Sequence, residues 1–477
     1  MATDRIDTID IQVPILRSIG QIADQLGIEA HVVGGYVRDK LLGKDVNDID
    51  IVVVGDGVSF AKEAARRLQL DKVATYDHYG TAMVQQDDVK VEFVGARKES
   101  YSRDSRKPSV TEGTLADDLA RRDFTINAIA ASLNDSSWGR VTDPYDGRTA
   151  LDAGIIQTPL EPEKTFDDDP LRIMRSIRFA AQLGFEIESK TLLAIEAMRE
   201  RLSIISQERI TDEFMKILGS KAPSVGLKIM FNTGVMKIVF PEISELGGVE
   251  QRDDVHHKDV FLHTCTVVDN ISVGTDNPFL RFTALVHDIA KPKTKQFKEG
   301  TGWTFHGHEE LGARMVKHFF RRMKLPLDQI PYMEKLVRLH LRPMALVDEG
   351  VTDSAVRRLL FEAGEDIEDL MMLCRADITS KNPYLVKKYL ANYDLVYAKM
   401  KEVEEKDRMR EFQSPVRGDE IMAICQLPPG KLVGVLKSKI EEAILDGVIP
   451  NEHDPALEYL LKVKERMIEE YQKSGKE

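Results

Sequence analysis

Two aspartates spaced two residues apart, Asp48 and Asp50 in DIDIVVVG (48–55), carry the clearest chemical signal in the first third of the chain. Side chains at i and i+2 of a strand project from one face, so both carboxylates stand together while Ile49 and Ile51 turn toward a core. Paired carboxylates repel unless a cation neutralises them, and their hard oxygens suit Mg²⁺. Exposed turns carry such pairs too, so the weight comes from the surroundings. Gly34-Gly35 ends the preceding strand candidate and lets backbone N–H groups approach a phosphate where any Cβ would obstruct it, with Arg38 available to neutralise charge. Glu92 sits between Val91 and Phe93, faces away from these apolar neighbours, and could complete a carboxylate triad.

The elements that must position these groups are legible in outline. Residues 11–27 show helical spacing; HVVGGYVRD (31–39) reads as a strand breaking at two glycines before a helix; 58–70 is again helical. TAMVQQ (81–86) and VKVEFVG (89–95), separated by Asp87-Asp88, predict a β-hairpin. Beyond Thr149 the strand signal fades into amphipathic helical windows, with joints near Leu160-Glu161-Pro162, Pro241 to Gly248 and Ser414-Pro415. The expected fold class is α+β, a small mixed sheet with helices followed by an all-α remainder.

At 477 residues the chain exceeds one ordinary core, so two to four packed units are expected. Its three cysteines (Cys265, Cys374, Cys425) have no zinc spacing, which argues against disulfides and structural zinc. A net charge of −13 argues against nonspecific coating of nucleic acid, although 66 Lys and Arg suffice for a local basic track. No apolar run spans a bilayer and MATDRIDTID is not a leader, so no membrane association and a cytoplasmic location are expected.

The order GGYVRD, DIDIVV, VEFVGAR resembles the catalytic palm of the nucleotidyltransferase superfamily that contains tRNA CCA-adding enzymes and bacterial poly(A) polymerases. DDLARRDFTINAIA (117–130) resembles the family's ribose-recognition motif and DPYDG (143–147) its palm-to-neck connector. The resemblance implies that Asp48, Asp50 and Glu92 are catalytic, that Asp118, Arg121, Arg122, Asp123 and Asn127 contact ribose and phosphates, and that Mg²⁺ binds at the palm. In FDDDPLRIMRSIRFAAQLGF (166–185), Leu171, Met174, Ile177 and Ala181 form an apolar stripe, with Arg172, Arg175 and Arg178 on an arginine-rich face. CCA-adding enzymes of the bacterial-eukaryotic class use a Glu-Asp pair and an Arg here as a protein template for the incoming base. Asp169 and Arg172 match two of these positions; Asp168 stands where the usual Glu would, one methylene shorter. A carboxylate accepts from an exocyclic amine while a guanidinium donates to ring acceptors, which favours C and A over G and U. SQERITDEF (206–214) resembles a further family motif, with Ser206 expected to cap a helix and Glu208 and Arg209 to brace the template. The polar stretch 96–117 is comparable to a flexible loop that helps such enzymes pass from adding C to adding A.

A second series, His263, His287-Asp288 in LVHDIAKP, His308 in HGHEE, His340 in RLHLRP and Asp377 in CRADITSKNP, resembles the HD-domain metal-dependent phosphohydrolases. Imidazoles and carboxylates together suit a divalent transition metal or Mg²⁺, which can lower the pKa of water. By resemblance His263, His287, Asp288 and Asp377 ligate one metal, His308 and His340 hold a second, and Lys291 binds substrate phosphate; His256, His257 and His306 are expected to be surface residues. Relatives with both halves hydrolyse 2′,3′-cyclic or terminal phosphates. Residues 414–449 resemble the tail of HD-containing members, and Lys431, Lys437 and Lys439 after Pro429-Gly430 read either as a phosphate cradle for a tRNA arm or as exposed lysines of a small packed unit.

The expected organisation is a palm (1–150), a helical neck and template domain (151–245), an HD domain (246–400) and a helical tail (401–477). The expected activity is CCA addition to tRNA from CTP and ATP. The alternatives are a poly(A) polymerase or A-adding enzyme, and an HD phosphohydrolase with a passive palm. Oligomeric state is left open.

Overall fold

The computed structural model describes residues 8–473 other than 71, 77–79, 103–104, 254–255, 301, 349–351, 381 and 408–413. The chain divides into two compact units, residues 1–241 and 242–477.

In the first unit seven strands form one mixed sheet. In chain order they are β1 (Ala30–Val33), β2 (Asp48–Val53), β3 (Val73–Tyr76), β4 (Thr81–Gln86), β5 (Val89–Gly95) and, beyond a separate hairpin of β6 (Arg97–Ser102) and β7 (Ser105–Glu112), β8 (Ala130–Ser132) and β9 (Val141–Thr142). Their order across the sheet is β3-β4-β5-β2-β1-β8-β9. All neighbours are antiparallel except β2 and β5, which run parallel. The helices α1 (Pro14–Leu26) and α3 (Gly57–Leu68) bury Leu16, Ile19, Phe60 and Ala61 in a core shared with Val32, Ile49, Ile51 and Phe93 from the sheet. Ile49 and Ile51 thus sit in the core, as the alternation requires, and the aspartates between them face the other way.

The hairpin of β6 and β7 corrects one expectation. The polar stretch 96–117 is not simply the flexible loop its resemblance implies, because Arg97 to Ser100 pairs with Ser109 to Glu112. With few apolar residues on either face, the stretch offers no alternation for a periodicity argument to detect, and its pairing rests on backbone hydrogen bonds. A capping box between Thr114 and Asp117 then starts α4 (Leu115–Ala120).

Beyond the sheet come α5 (Gly147–Ala153), α6 (Pro162–Asp168), α7 (Leu171–Leu183), α8 (Ser189–Met198) and α9 (Gln207–Leu218). Two short helices complete this unit, Pro223–Asn232 and Val235–Val239. The helix α7 buries Ile173, Met174 and Ile177, but also Arg172 and Arg178, so its arginine row faces inward rather than toward solvent.

The second unit is built on the helices Val260–Ser272, Pro278–Val286, His308–Met323, Ile330–Leu339, Ile367–Ala376 and Pro383–Asp407. Phe282, Phe319 and Phe320 fill its centre with tilted and edge-on ring contacts. The last of these helices continues through residue 400, where a boundary was expected. Among the described residues, strands in this half are limited to short hairpins, including Gln296–Lys298 with Gly302–Thr304. At the C-terminal end Val416, Ile421, Leu436, Ile440 and Leu460 form a small core of their own. Lys437 and Lys439 face Glu441 and Glu442 at 3.7 and 2.7 Å, which offsets part of the positive charge expected there. Among the described residues no helix is long and apolar enough to cross a membrane.

Candidate functional site

The parallel pairing of β2 with β5 sets Asp50 opposite Glu92, and Asp48 lies two residues before Asp50 on the same face. Three carboxylates therefore share one surface. Asp50 and Glu92 keep exposed surface, yet the surrounding strands crowd one side of each. That crowding raises the Asp50 carboxyl above the ordinary value; Arg122 pulls it back, and the charges of Asp48 and Asp118 push it up again. Glu92 is raised by the same crowding and by the charge of Asp50, against a Thr81 hydroxyl and Arg97. Carboxylates crowded together with their charged forms disfavoured form a site for added positive charge.

Gly34 explains how arginine reaches that surface. Its φ of +68° is costly for other residues, and a Cβ there would lie 2.7 Å from Nη1 of Arg122 and 3.6 Å from Oδ2 of Asp50. The missing side chain is the space the guanidinium occupies. Gly35 starts the helix α2 (Gly35–Leu41), where a Cβ would meet only Arg38 Nη2 at 3.7 Å, an ordinary contact.

Behind the acids lies a chain of buried ion pairs. Asp118 is fully buried and binds Arg121 and Arg122, the latter at 3.1 Å. Asp123, also buried, accepts from the Asn127 amide at 2.9 Å and from Nη2 of Arg175 at 2.6 Å, and Asn127 accepts in turn from Arg38 at 2.8 Å. Arg38 is further held by Asp39 and lies 5.1 Å from the Phe179 ring centre. Burial alone would raise the Asp123 carboxyl, but the Arg175 charge, the Asn127 amide and Arg172 outweigh it and hold it at about 2. This depressed pKa makes a pH prediction. The pair stabilises the fold fully above the ordinary carboxyl value, by about 2 kcal/mol, and that contribution is lost as pH falls from about 4 toward 2. In Asp123→Asn the melting temperature should fall less steeply with acid over that window, by one proton in linkage. An unchanged slope would show that Asp123 carries no such load.

The candidate template residues meet at the start of α7. Asp169 caps Leu171 N at 3.2 Å and lies 3.6 Å from Arg209. Arg172 donates to the carbonyls of Thr165 at 3.4 Å and Arg121 at 2.5 Å, which uses two of its five donors and fixes its plane. Arg178 pairs at 3.2 Å with Glu213, a buried acid of α9.

In the second unit Asp288 lies at the centre of four histidines. Its Oδ2 is 3.2 Å from His287 Nε2, 3.6 Å from His263 Nε2 and 2.6 Å from the Lys291 ammonium, while Oδ1 is 3.2 Å from His308 Nε2 and 3.9 Å from His340 Nε2. Asp377 lies 2.9 Å from His263 and 3.4 Å from His287. His287, His308 and His340 each place Nδ1 at 2.8, 2.7 and 2.6 Å from the carbonyl three residues earlier, of Ala284, Phe305 and Val337. A carbonyl only accepts, so each Nδ1 carries a proton and Nε2, the nitrogen free to bind a proton or a cation, is turned inward. These three Nε2 atoms are buried without a directed hydrogen bond. Two groups fit a metal ion, His263 with His287 and Asp288, and Asp288 with His308 and His340. Burial opposes charge on His287, but the Asp288 and Asp377 carboxylates raise its pKa to about 10; burial and the charge of His287 lower His340 to about 4. The carboxylate charge that holds a proton at His287 would equally hold a cation in its place.

Three family models match the chain: the poly A polymerase head domain over residues 30–157, the probable RNA and SrmB-binding site of polymerase A over 184–246, and the HD domain over 260–381. The multifunctional CCA protein of Methylococcus capsulatus is 31% identical over 381 residues, 76% of this chain and 84% of that one. The chain belongs to the CCA-adding nucleotidyltransferase family. A second relative, the multifunctional CCA protein of Neisseria meningitidis serogroup B, is 32% identical over 363 residues, 73% of this chain and 82% of its own. Among solved structures, a CCA-adding enzyme in an apo form superposes with a TM-score of 0.65 at 23% identity, covering 96% of this chain and 97% of that one. The Thermotoga maritima CCA-adding enzyme complexed with tRNA gives 0.60 at 23% identity, covering 96% and 97%. At this identity they show the fold.

Within the CCA-adding frame, the structure redistributes several expected contacts. Asp118 has no exposed surface, and its carboxylate accepts from Arg121 and Arg122. Ser206 is the N-cap of α9 in position only, because its hydroxyl makes no capping bond. Arg209 does reach Asp169, but Glu208 is exposed and pairs with no described residue. The carboxylate that holds Arg178 is Glu213, a residue outside the expected site set. Its signal was present: it shares a face of α9 with Ile210, Phe214 and Ile217, all buried, and an acid on such a face requires a cationic partner. His306 is exposed, as expected, whereas the side chains of His256 and His257 lie outside the described residues.

Proposed function

We propose that this chain adds C, C and A in turn to the 3′ end of tRNA, from CTP and ATP, with Asp48, Asp50 and Glu92 holding two Mg²⁺ ions. The observation that carries this reading is the register of β2 and β5, which sets Glu92 beside Asp50 on the face that also bears Asp48. Magnesium bound there would acidify the RNA 3′-hydroxyl and neutralise the triphosphate and departing pyrophosphate. The new bond joins the 3′-oxygen to the α-phosphorus as the bond to pyrophosphate breaks, with no covalent enzyme intermediate. Gly34 leaves room for the Arg122 guanidinium beside Asp50, Arg121 and Arg122 meet the phosphate charge, and Asp118 holds both arginines. Asp123, Asn127, Arg38 and Arg175 fix the ribose side of the pocket. Asp169 and Arg172 read the base, steadied by Asp168, Arg209 and the Arg178–Glu213 pair.

In the second unit, His263, His287, Asp288 and Asp377, with His308 and His340, hold divalent metal for hydrolysis of terminal or 2′,3′-cyclic phosphates on RNA ends. A palm (1–150), a neck and template segment (151–245), an HD segment that keeps the whole helix Pro383–Asp407 and a C-terminal tail divide this work, in the cytoplasm. The decisive test is product length on a tRNA ending at its discriminator base. CTP alone should add two residues, ATP alone none, and both together CCA. A long tail with ATP alone would make the chain a poly(A) polymerase, and addition only to tRNA already ending in CC would make it an A-adding enzyme.

A further inference from the structure

Between the metal ligands Asp288 and His308 the chain makes an excursion, KPKTKQFKEGTGWTFHG (291–307), that coordination of a metal does not require. Its hairpin pairs Gln296–Lys298 with Gly302–Thr304 and sets Phe297 opposite Trp303. The two rings meet edge-on with centroids 5.3 Å apart, yet Phe297 is 66% and Trp303 40% exposed. An aromatic pair left in water on a small hairpin contributes little to folding and offers π-faces to a ligand. Its surroundings are cationic. The Lys295 ammonium sits 4.4 Å from the Trp303 ring centre, Lys293 and Lys298 are exposed, and Glu299 is the only acid between Lys291 and Gly307. None of Lys293, Lys295 and Lys298 forms an ion pair with a described residue.

Both ends of the excursion are tied to the metal ligands. At the start, Lys291 lies 2.6 Å from Asp288 and 5.6 Å from the Phe305 ring centre. At the end, the Phe305 carbonyl accepts from Nδ1 of His308 at 2.7 Å. Trp303 precedes Phe305 by two residues, about 7 Å of extended chain. A base resting on Trp303 would thus lie within about a nucleotide or two of the metal ligands.

We propose that this hairpin is a single-stranded RNA platform for the HD centre. A base stacks on the Phe297–Trp303 face, Lys293, Lys295 and Lys298 take the neighbouring phosphates, and the 3′-terminal phosphate is delivered to the ligands around Asp288. Alternating lysines and aromatic faces with a single acid fit a polyanion with flat bases better than an acidic peptide, which offers charge without the π-faces. The proposal rests on the HD unit being a hydrolase of RNA ends and adds how that substrate is held.

The chain has two tryptophans, Trp138 and Trp303, so Trp138→Phe leaves Trp303 as the sole reporter. Titrating this full-length protein with a short oligoribonucleotide ending in a 2′,3′-cyclic phosphate should quench Trp303 fluorescence and give a salt-dependent Kd. Adding Phe297→Ala should weaken that Kd by roughly 10-fold, as loss of one stacked face implies. Lys298→Ala should reduce the slope of log K against log salt by about 0.7. Absence of quenching, or an affinity indifferent to both substitutions, would overturn the platform. Hydrolysis of bis(p-nitrophenyl) phosphate by the Trp138→Phe protein with added Mn²⁺ checks the underlying reading separately. Cleavage without quenching removes the platform and keeps the hydrolase; quenching without cleavage of either substrate removes the hydrolase reading and keeps an RNA-binding hairpin. Self-association that disappears in Phe297→Ala, with no response to RNA, would instead assign the face to a second copy of this chain and sink the proposal.

Discussion

Asp50→Ala is expected to lower CCA addition by at least ~10³-fold without lowering the melting temperature. The position is central: Asp48 flanks it on β2, Glu92 faces it from β5, and Arg122 is its principal counter-charge. Removing this carboxylate leaves the other two without the group between them. The stability half of the prediction follows from the direction of the pKa shift. A carboxyl raised above its ordinary value is one whose charged form the fold disfavours, so at neutral pH the Asp50 charge destabilises the protein by itself. Its removal should relieve repulsion with Asp48 and Asp118 and leave the fold equally stable or slightly more so. Thermal unfolding alongside primer extension with tRNA, CTP and ATP measures both. A variant that extends tRNA at near wild-type rate would remove Asp50 from the chemistry. One that loses activity only because it melts would reduce the acid to a structural role.

How far the sequence could be read differs between the parts of this site. The alternation of Asp48 and Asp50 with Ile49 and Ile51 is local, and the strand followed from it. Glu92 could be assigned a face but not a neighbour, because its position beside Asp50 depends on a parallel pairing of β2 with β5 that no local pattern specifies. The arginines of α7 show a different limit. Three-residue spacing placed them on one face, and the family resemblance read that face as nucleotide-binding; burial of Arg172 and Arg178 comes from partners elsewhere in the chain, the carbonyls of Thr165 and Arg121 and the carboxylate of Glu213. A hydropathy pattern cannot distinguish a solvated arginine from one neutralised inside, since the difference lies in tertiary partners.

The histidines were easier to name than to orient. Their order in the chain carried the family resemblance, but which ring nitrogen faces the cluster depends on backbone geometry. His287 and His340 each stand immediately after a helix, Pro278–Val286 and Ile330–Leu339, where carbonyls of the last turn have lost their intrahelical donors. Those carbonyls, of Ala284 and Val337, take the Nδ1 protons. The helix ends therefore satisfy their own acceptors and turn the Nε2 atoms inward in one arrangement.

That arrangement makes Asp288 the residue whose loss should cost the second unit most. One oxygen serves the group with His263 and His287 and the other the group with His308 and His340, so a single substitution removes a ligand from both. Loss of an outer partner alone weakens metal sites by roughly 10- to 100-fold, and a shared direct ligand should matter more, so affinity is expected to fall by at least ~100-fold. Asp288→Ala also removes the carboxylate 2.6 Å from the buried Lys291 ammonium, and breaking such a buried pair costs roughly 3–5 kcal/mol. A bare loss of metal by this variant would therefore be ambiguous. Asp288→Ala combined with Lys291→Met removes that ammonium as well, so the double variant should regain most of the melting temperature yet lose the second unit's Mn²⁺ binding, leaving in a calorimetric titration only the ions taken by the palm acids. CCA addition should survive in it, because the palm acids belong to the other unit. If the folded double variant took up as many Mn²⁺ ions as the wild type with near-native affinity, Asp288 would be a scaffold for Lys291 rather than a ligand, and the remaining groups around it would have to hold the ion.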